Sequence, residues 1–278
     1  MNLGRDALAW SSELWSRLDR AIHAEVDRAG IAGKVLPLHS SMPEATTVPA
    51  DVIDPETMTV RDDAVLPLVE LSVEFSLTAQ QVEREAELAT AVTLASRASN
   101  LIAQAEDLLV FQGESAHDAG VFNTVRRRGS SAEGLVAAAP SAVQVAAKNG
   151  DVGERIVQAV TRACADLQGR GQYGPYALVL RTEQYADASS PLENTLVMPA
   201  DRLRPLVAQG FFATGAMPEA TGLVVSVGGG PIDLAVGVEP TVSFLQIDGN
   251  GHYLFRVFER FALRLKDERS LVRLEFAH

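Results

Sequence analysis

Residues 71–112 read LSVEFSLTAQQVEREAELATAVTLASRASNLIAQAEDLLVFQ, and the change of period inside this stretch decides the fold class. Leu71, Val73, Phe75 and Leu77 alternate with Ser72, Glu74 and Ser76, the spacing of a strand with one buried and one polar face. Thr78 and Gln81 then spell a capping box. Ala79 to Gln112 contains neither glycine nor proline and is rich in Ala, Glu, Gln and Leu, which predicts a helix, whole or in two pieces. About 34 residues at 1.5 Å each span about 50 Å, longer than a small domain is wide, so this is a spine. Its later half offers Leu101, Ile102, Ala105, Leu108 and Leu109 to the core, and Gly113 stops it.

Upstream, the spacing of Leu14, Leu18, Ile22 and Val26 predicts a helix from Glu13 to Ala29, capped by Ser11 or Ser12 and closed by Gly30 and Gly33 before the apolar piece Val35 to Leu38. Residues 40–65, SSMPEATTVPADVIDPETMTVRDDAV, carry Pro43, Pro49 and Pro55, an acidic excess and no aromatic residue. Structureless connections of this length are uncommon in compact domains. An extended arm completed by a neighbouring subunit, with Val48, Val52, Ile53, Met58 and Val60 as strand material, and a free loop satisfy the pattern equally.

Downstream, an irregular Ala-rich stretch from Ser130 to Gly150 precedes a helix opened by a second capping box, Asp151 and Glu154, with Ile156, Val157, Val160, Ala163, Cys164 and Leu167 on one face. Tyr176 to Leu180 is a short apolar strand, and Leu203 to Phe212 suggests another helix or its remnant. The last third reads as strands over Leu223–Val227, Ile232–Val238, Thr241–Ile247, His252–Leu265 and Leu271–Phe276, an antiparallel meander joined by GGGP and DGNG turns. Strands before and after a helical middle predict an α+β fold whose two ends meet in one sheet.

Composition narrows the function. The 278 residues carry 24 basic and 36 acidic side chains, net −12, with a pI near 4.9. This argues against a nucleic-acid grip and against anionic membranes. Hydrophobic residues at 47% make the chain too apolar for disorder. One cysteine, Cys164, excludes an intrachain disulfide and a multi-cysteine metal site, and a reducing cytoplasm fits. No apolar run approaches the length of a membrane span, and the start MNLGRDALAWSSELW lacks the basic flank and apolar stretch of an export signal.

Chemical motifs are weak. Gly169, Gly171 and Gly174 spell G-x-G-x-x-G, but a helix precedes and a strand follows, the reverse of a phosphate cradle. Gly228, Gly229 and Gly230 fit a turn between strands. Glu114 and His117 form a single E-x-x-H beyond the Gly113 stop, without the second copy of a di-iron bundle. The other histidines, His23, His39, His252 and His278, have no paired ligand spacing. Glu83, Glu85 and Glu87, like Glu106 and Asp107, read as a solvated or ion-paired helix face. No catalytic residue, metal ligand, cofactor or cofactor-binding residue is assigned, and no serine sits in G-x-S-x-G.

Several segments together resemble the encapsulins, shell proteins of bacterial nanocompartments once described as linocin-type bacteriocins, and in particular their family 1. In order they are MNLGRDALA, IAGKV, PLVELSVEFSL, AEDLLVFQG, GPYALVL, GVEPTVSF and FRVFERFALRL. The resemblance implies the tailed-phage major capsid fold (Hong Kong 97-like) and no enzymatic activity. It places an N-terminal helix or arm in 1–39, the extended loop in 40–70, a peripheral domain in 71–131 and 228–278, and an axial domain in 132–227. It further implies a homo-oligomer of about sixty copies in a closed icosahedral shell. That shell would enclose a peroxidase, ferritin-like or hemerythrin-like cargo enzyme, held by its terminal targeting peptide, for iron storage or oxidative-stress defence in the cytoplasm. Neither nucleic acid nor membrane is an implied partner.

By position, Leu18, Ile22, Val26, Val35 and Leu38 would contact the cargo peptide, with Val238 and Val242 on the opposite wall; packing inside the shell would use the same residues. Residues 185–193, YADASSPLE, match the five-fold pore region, with Asp187, Ala188, Ser189, Ser190 and Pro191 as the pore loop. The spine region reads VEREAELATAV where family members carry glycine and a charged linker, which suggests a more continuous helix. Thr78, Ala79, Gln80 and Gln81 stand where some relatives place a flavin-stacking aromatic, so no flavin is expected. A phage or prophage capsid protein is the nearest rival, disfavoured by acidic charge and by the lack of a long N-terminal scaffold-like segment. A soluble α+β enzyme is the second, disfavoured by the arm.

Overall fold

A computed structural model describes residues 3–40, 45–61, 64–146, 152–191 and 196–277. Along the chain run α1 (Ser12–Ala29), β1 (Leu38–Ser40), β2 (Val69–Leu77), α2 (Thr90–Gln112), β3 (Arg126–Arg128), β4 (Ala142–Val145) and α3 (Val152–Gly169). Then follow β5 (Tyr176–Arg181), β6 (Gly210–Thr214), β7 (Thr221–Ser226), β8 (Ile232–Ile247), β9 (Tyr253–Leu265) and β10 (Leu271–Phe276).

Two five-stranded sheets divide the molecule. The first has the order β1-β8-β9-β2-β3, and the second β6-β5-β7-β10-β4. In the first, β8, β9, β2 and β3 are antiparallel neighbours and β1 joins β8 in parallel, so the chain's two ends do share a sheet. Its core faces α1 and α2, with Leu18, Ile22, Ile102, Leu109, Phe255 and Val257 buried. The second sheet packs Leu178, Leu180, Val224 and Leu274 against Ile156, Val160, Ala163 and Leu167 of α3, so the apolar face read from α3 is the buried one. Cys164 lies in that core, and burial pushes its thiol up to about 11.

Four sequence expectations are corrected here. Strand β10 belongs to the second sheet, so the last third is not one meander. Leu203 to Phe212 is not a helix: the short helix Pro199–Leu203 ends as it begins, Pro205 follows, and Phe211 and Phe212 lie in β6 beside β5. The Ala-rich stretch is not irregular throughout, because β4 extends the second sheet in parallel with β10. The strands expected over 232–238 and 241–247 are one strand, bent by register shifts around Val238 and again near Gln246. The Asp151–Glu154 capping box falls partly outside the described residues, as do His278, Pro43 and the end of the pore-loop segment.

The spine is broken. Ala79–Glu83 and Glu85–Leu88 are separate short helices, and Ala89 adopts φ 50°, ψ 34° before α2 begins. The Thr78–Gln81 capping box forms as read. The cause of the break is Glu85: only 1% exposed, it accepts hydrogen bonds from Ala91 N at 2.8 Å and Val92 N at 3.2 Å. Its carboxylate therefore caps α2 from the preceding turn and draws the chain through the left-handed region. Glu85→Gln is expected to cost about 1 kcal/mol, since the amide keeps one acceptor but loses the charge; denaturant unfolding of the variant measures it.

The arm is a β ribbon within the subunit. Thr47–Pro49 pairs with Val65–Pro67, and Val52–Asp54 with Thr59–Arg61. Met58 is not a strand residue; it occupies the tip turn at φ 53° and is 84% exposed. The arm is tied down by Arg264, only 6% exposed as a side chain, which holds Asp51 at 2.8 Å while gripping buried Asp233 with two further bonds. Ile53 N also donates to Lys266 O.

Candidate docking cleft and pore-loop region

A cleft of about 470 Å³ opens between α1 and the bend in β8. Its α1 wall is His23, Val26 and Asp27; Gly30, Gly33, Lys34 and Leu38 continue it. The facing wall is Val236, Val238, Glu239 and Pro240, where the register shifts turn the strand outward. The floor comes from Glu106 on α2 and Glu259, Arg260 and Phe261 on β9.

Val26, Leu38 and Val238 of the sequence-derived groove thus meet in one cleft. Leu18, Ile22, Val35 and Val242 do not line it; all four are fully buried beneath the walls. Helical periodicity marks the stripe that faces the core, whereas a groove is lined by the edge of that stripe. Val242 is further covered by Arg5, which donates to its carbonyl and to both oxygens of Asp19 at 2.6 and 2.8 Å. This clamp fastens the N-terminal segment across α1 and β8.

Electrostatics set the floor apart. Burial pushes the Glu106 carboxyl up to about 8, helped by the adjacent Asp107 charge. Burial likewise raises Glu259 well above the usual carboxylate range, with Glu106 and Asp107 adding to it. Asp107 rises to about 6 for the same reason, although Ala32 N and Ile31 N donate to it at 2.7 and 2.9 Å. These residues are therefore not a solvated helix face, as their spacing suggested.

In the pore-loop segment, Asp187 and Ala188 end the helix Thr182–Ala188, and Ser189 N closes on Tyr185 O at 3.0 Å. Asp187, Ser190 and Pro191 are exposed and Ser189 is half-buried. Ala188 is fully buried in the second core.

The weak motifs resolve into structure. Glu114 accepts from Arg127 at 2.7 Å and from Ser131 N, bonds that hold its carboxyl low. His117 turns to Asp118 at 3.0 Å. Among the described residues no group of three His, Cys, Asp or Glu side chains is placed to hold a metal ion. Gly169 ends α3 and β5 follows Gly174, the order that rules out a helix N-terminus over the loop. Gly228 sits where an added Cβ would lie 1.8 Å from Gly174 O, so this close approach of two backbones at the ends of β5 and β7 requires glycine.

Comparison with known proteins matches residues 1–262 to a family profile described as encapsulating protein for peroxidase. The chain belongs to this encapsulin family. It is 28% identical to the type 1 encapsulin shell protein EncA of Myxococcus xanthus, over 95% of this chain and 93% of that protein. It is 32% identical to the type 1 encapsulin shell protein of Rhodospirillum rubrum, over 71% of this chain and 65% of that protein. Both relatives are structural shell proteins, which places this encapsulin with structural proteins rather than enzymes. Among solved structures, a virus-like particle from Pyrococcus furiosus superposes with a TM-score of 0.71 at 19% identity, covering 95% of this chain and 100% of that one. The holo-SrpI encapsulin complex from Synechococcus elongatus gives 0.56 at 12% identity, covering 86% and 84%. The capsid of Myoviridae phage XM1 gives 0.55 at 13% identity, covering 88% and 90%. The fold is thus the α+β tailed-phage capsid fold, and the family match separates this chain from the phage proteins that share it.

Proposed function

We propose that this encapsulin assembles in the cytoplasm into a closed icosahedral shell of about sixty copies and encloses a cargo enzyme whose terminal peptide lies in the α1–β8 cleft. The carrying observation is that cleft: a concave surface with exposed Leu38 and half-buried Val26 and Val238 along it, built on the helices and strands of a capsid fold. In this reading the arm, residues 45–67 with an exposed tip at Met58 and Val60, covers a neighbouring subunit. The segments 71–131 and 228–265 form the peripheral domain, and the second sheet with α3 the axial domain. Asp187, Ser190 and Pro191 contribute to the axial pore. The small-molecule chemistry belongs to the enclosed enzyme, with peroxide or iron as the class of substrate.

Assembly is tested by light scattering and electron microscopy on the chain expressed alone: closed megadalton particles are expected, and a monomer or small oligomer across salt and pH would refute the shell. Docking is tested by co-expression with a peroxidase of the family's cargo type. Val26→Asp or Val238→Asp should lower loading about tenfold, the equivalent of about 1.4 kcal/mol, while particle yield is unchanged. Loading that survives both substitutions would remove the cleft from the mechanism.

A further inference from the structure

Apolar docking leaves the cleft's floor unexplained. Glu259 is 4% exposed, lies against the cleft, and its Oε1 has no hydrogen-bond partner among the described residues. Glu106 reaches the same floor from α2. The basic groups nearby are engaged elsewhere. Arg260 pairs with Glu70 at 2.8 Å, Lys34 Nζ donates to Arg28 O at 3.1 Å, and His23 faces Glu239 at 3.9 Å. Asp107 stands behind Glu106, spent on the backbone of Ile31 and Ala32, and Asp27 adds a carboxylate at the rim.

Buried acceptors in folded proteins are almost always satisfied. An acceptor left open beneath a cleft is satisfied by what enters the cleft. A bare metal ion does not suit it, for no three-ligand group is assembled among the described residues. A single cationic side chain does: its apolar stem suits Val26, Leu38 and Val238, and its head suits two carboxyls.

We propose that the cleft contains a cation subsite, in which a lysine or arginine side chain of the docked protein segment pairs with Glu259 and Glu106. The inference rests on the docking reading above and adds the chemistry of the occupant and a proton stoichiometry. Burial raises both carboxyls, with Asp107 adding to Glu106 and with Glu106 and Asp107 adding to Glu259, so with Glu106 at about 8 the pair still holds a proton at neutral pH in the empty cleft. A cation must therefore release a proton to bind, and its affinity rises with pH, by up to about tenfold per pH unit until the pair ionises unaided.

The probe is the n-pentylguanidinium ion, charged at every pH used, with n-hexanol as its neutral counterpart. Saturation-transfer difference NMR on assembled particles suits weak ligands of large assemblies. The expected result is saturable guanidinium binding, at least about fivefold tighter than hexanol at pH 8 and weakening several-fold at pH 6. Glu259→Gln should abolish both the preference and the pH dependence; Glu106→Gln, on a different element, is the second variant should the first fail to assemble. Equal binding of the alcohol, or guanidinium binding indifferent to both substitutions, would overturn the cation subsite while leaving an apolar docking cleft. Binding of neither probe would overturn the cleft as a docking site and the subsite with it.

Discussion

Arg264→Ala is expected to destabilise the subunit by about 3–5 kcal/mol, the range for removing one member of a buried ion pair, and to reduce the yield of closed particles. Arg264 holds two carboxylates at once: Asp233 through Nε and Nη2 at 2.7 and 2.8 Å, and Asp51 through Nη1 at 2.8 Å. Asp233 is nearly buried, and burial alone would raise its carboxyl, but Arg264 and Lys266 outweigh that and hold it below the usual range. Without the guanidinium, Asp233 keeps, among the described residues, the Lys266 ion pair at 2.8 Å, and Asp51, at its strained φ of 53°, loses its ion pair to the body. The arm then remains attached by the Ile53–Lys266 backbone bond and by Val48 packed against Ala235 and Ala262. Arg264→Lys should not rescue, because one ammonium cannot bridge both carboxylates with a planar fork. Asp51→Asn should cost only about 1 kcal/mol, since that side chain is partly solvated, yet should impair assembly if arm direction is what closes the shell. Urea unfolding, followed by the fluorescence of Trp10 and Trp15, supplies the stabilities; light scattering supplies the particle yield. A loss below about 1 kcal/mol for Arg264→Ala would show that the pair is a solvated contact.

What the sequence conveyed follows from which interactions are local. Alternation at Leu71–Leu77, the periods of α1 and α3 and the Thr78 capping box are set by neighbours a few residues apart, and each stands where the pattern puts it. The break at Ala89 was invisible to composition because helix formers surround it; the decisive contact is the carboxylate of Glu85 reaching over the turn. Leu203 to Phe212 misled because its apolar content suits either element, and partnership with β5 selects a strand. The cleft was half legible for a similar reason. Spacing located α1, but the bend that brings Val238 opposite Val26 depends on a register shift against β9. Glu106 and Asp107 looked like a surface pair because their third member, Glu259, lies about 150 residues away in sequence and meets them only in the folded chain.

That trio should make the subunit lose stability as pH rises. Glu106 ionises near 4.5 in an unfolded chain and at about 8 in the folded one. A carboxyl raised in this way contributes its full share below the unfolded value, and the contribution disappears as pH climbs through the folded value. Asp107 acts in the same direction between 3.8 and about 6. The difference of 8 and 4.5 for Glu106 corresponds to at most about 5 kcal/mol; water on the cleft side of this half-buried group screens its charge and leaves about 2 kcal/mol. Glu106→Gln removes both that ionisation and the repulsion it exerts on Glu259, so the variant should match the wild type near pH 5 and exceed it by about 2 kcal/mol near pH 9. Asp233 runs the other way: held low by Arg264 and Lys266, it contributes above about 3.8 and is lost only in acid. The wild type should thus be most stable in mildly acidic solution, bounded by Asp233 below and by the carboxyls of the cleft above. Urea midpoints from about pH 5 to 9 for both proteins decide it. Parallel profiles would mean that Glu106 ionises freely in the folded chain, and the floor of the cleft would then be an ordinary solvated surface with no proton to exchange.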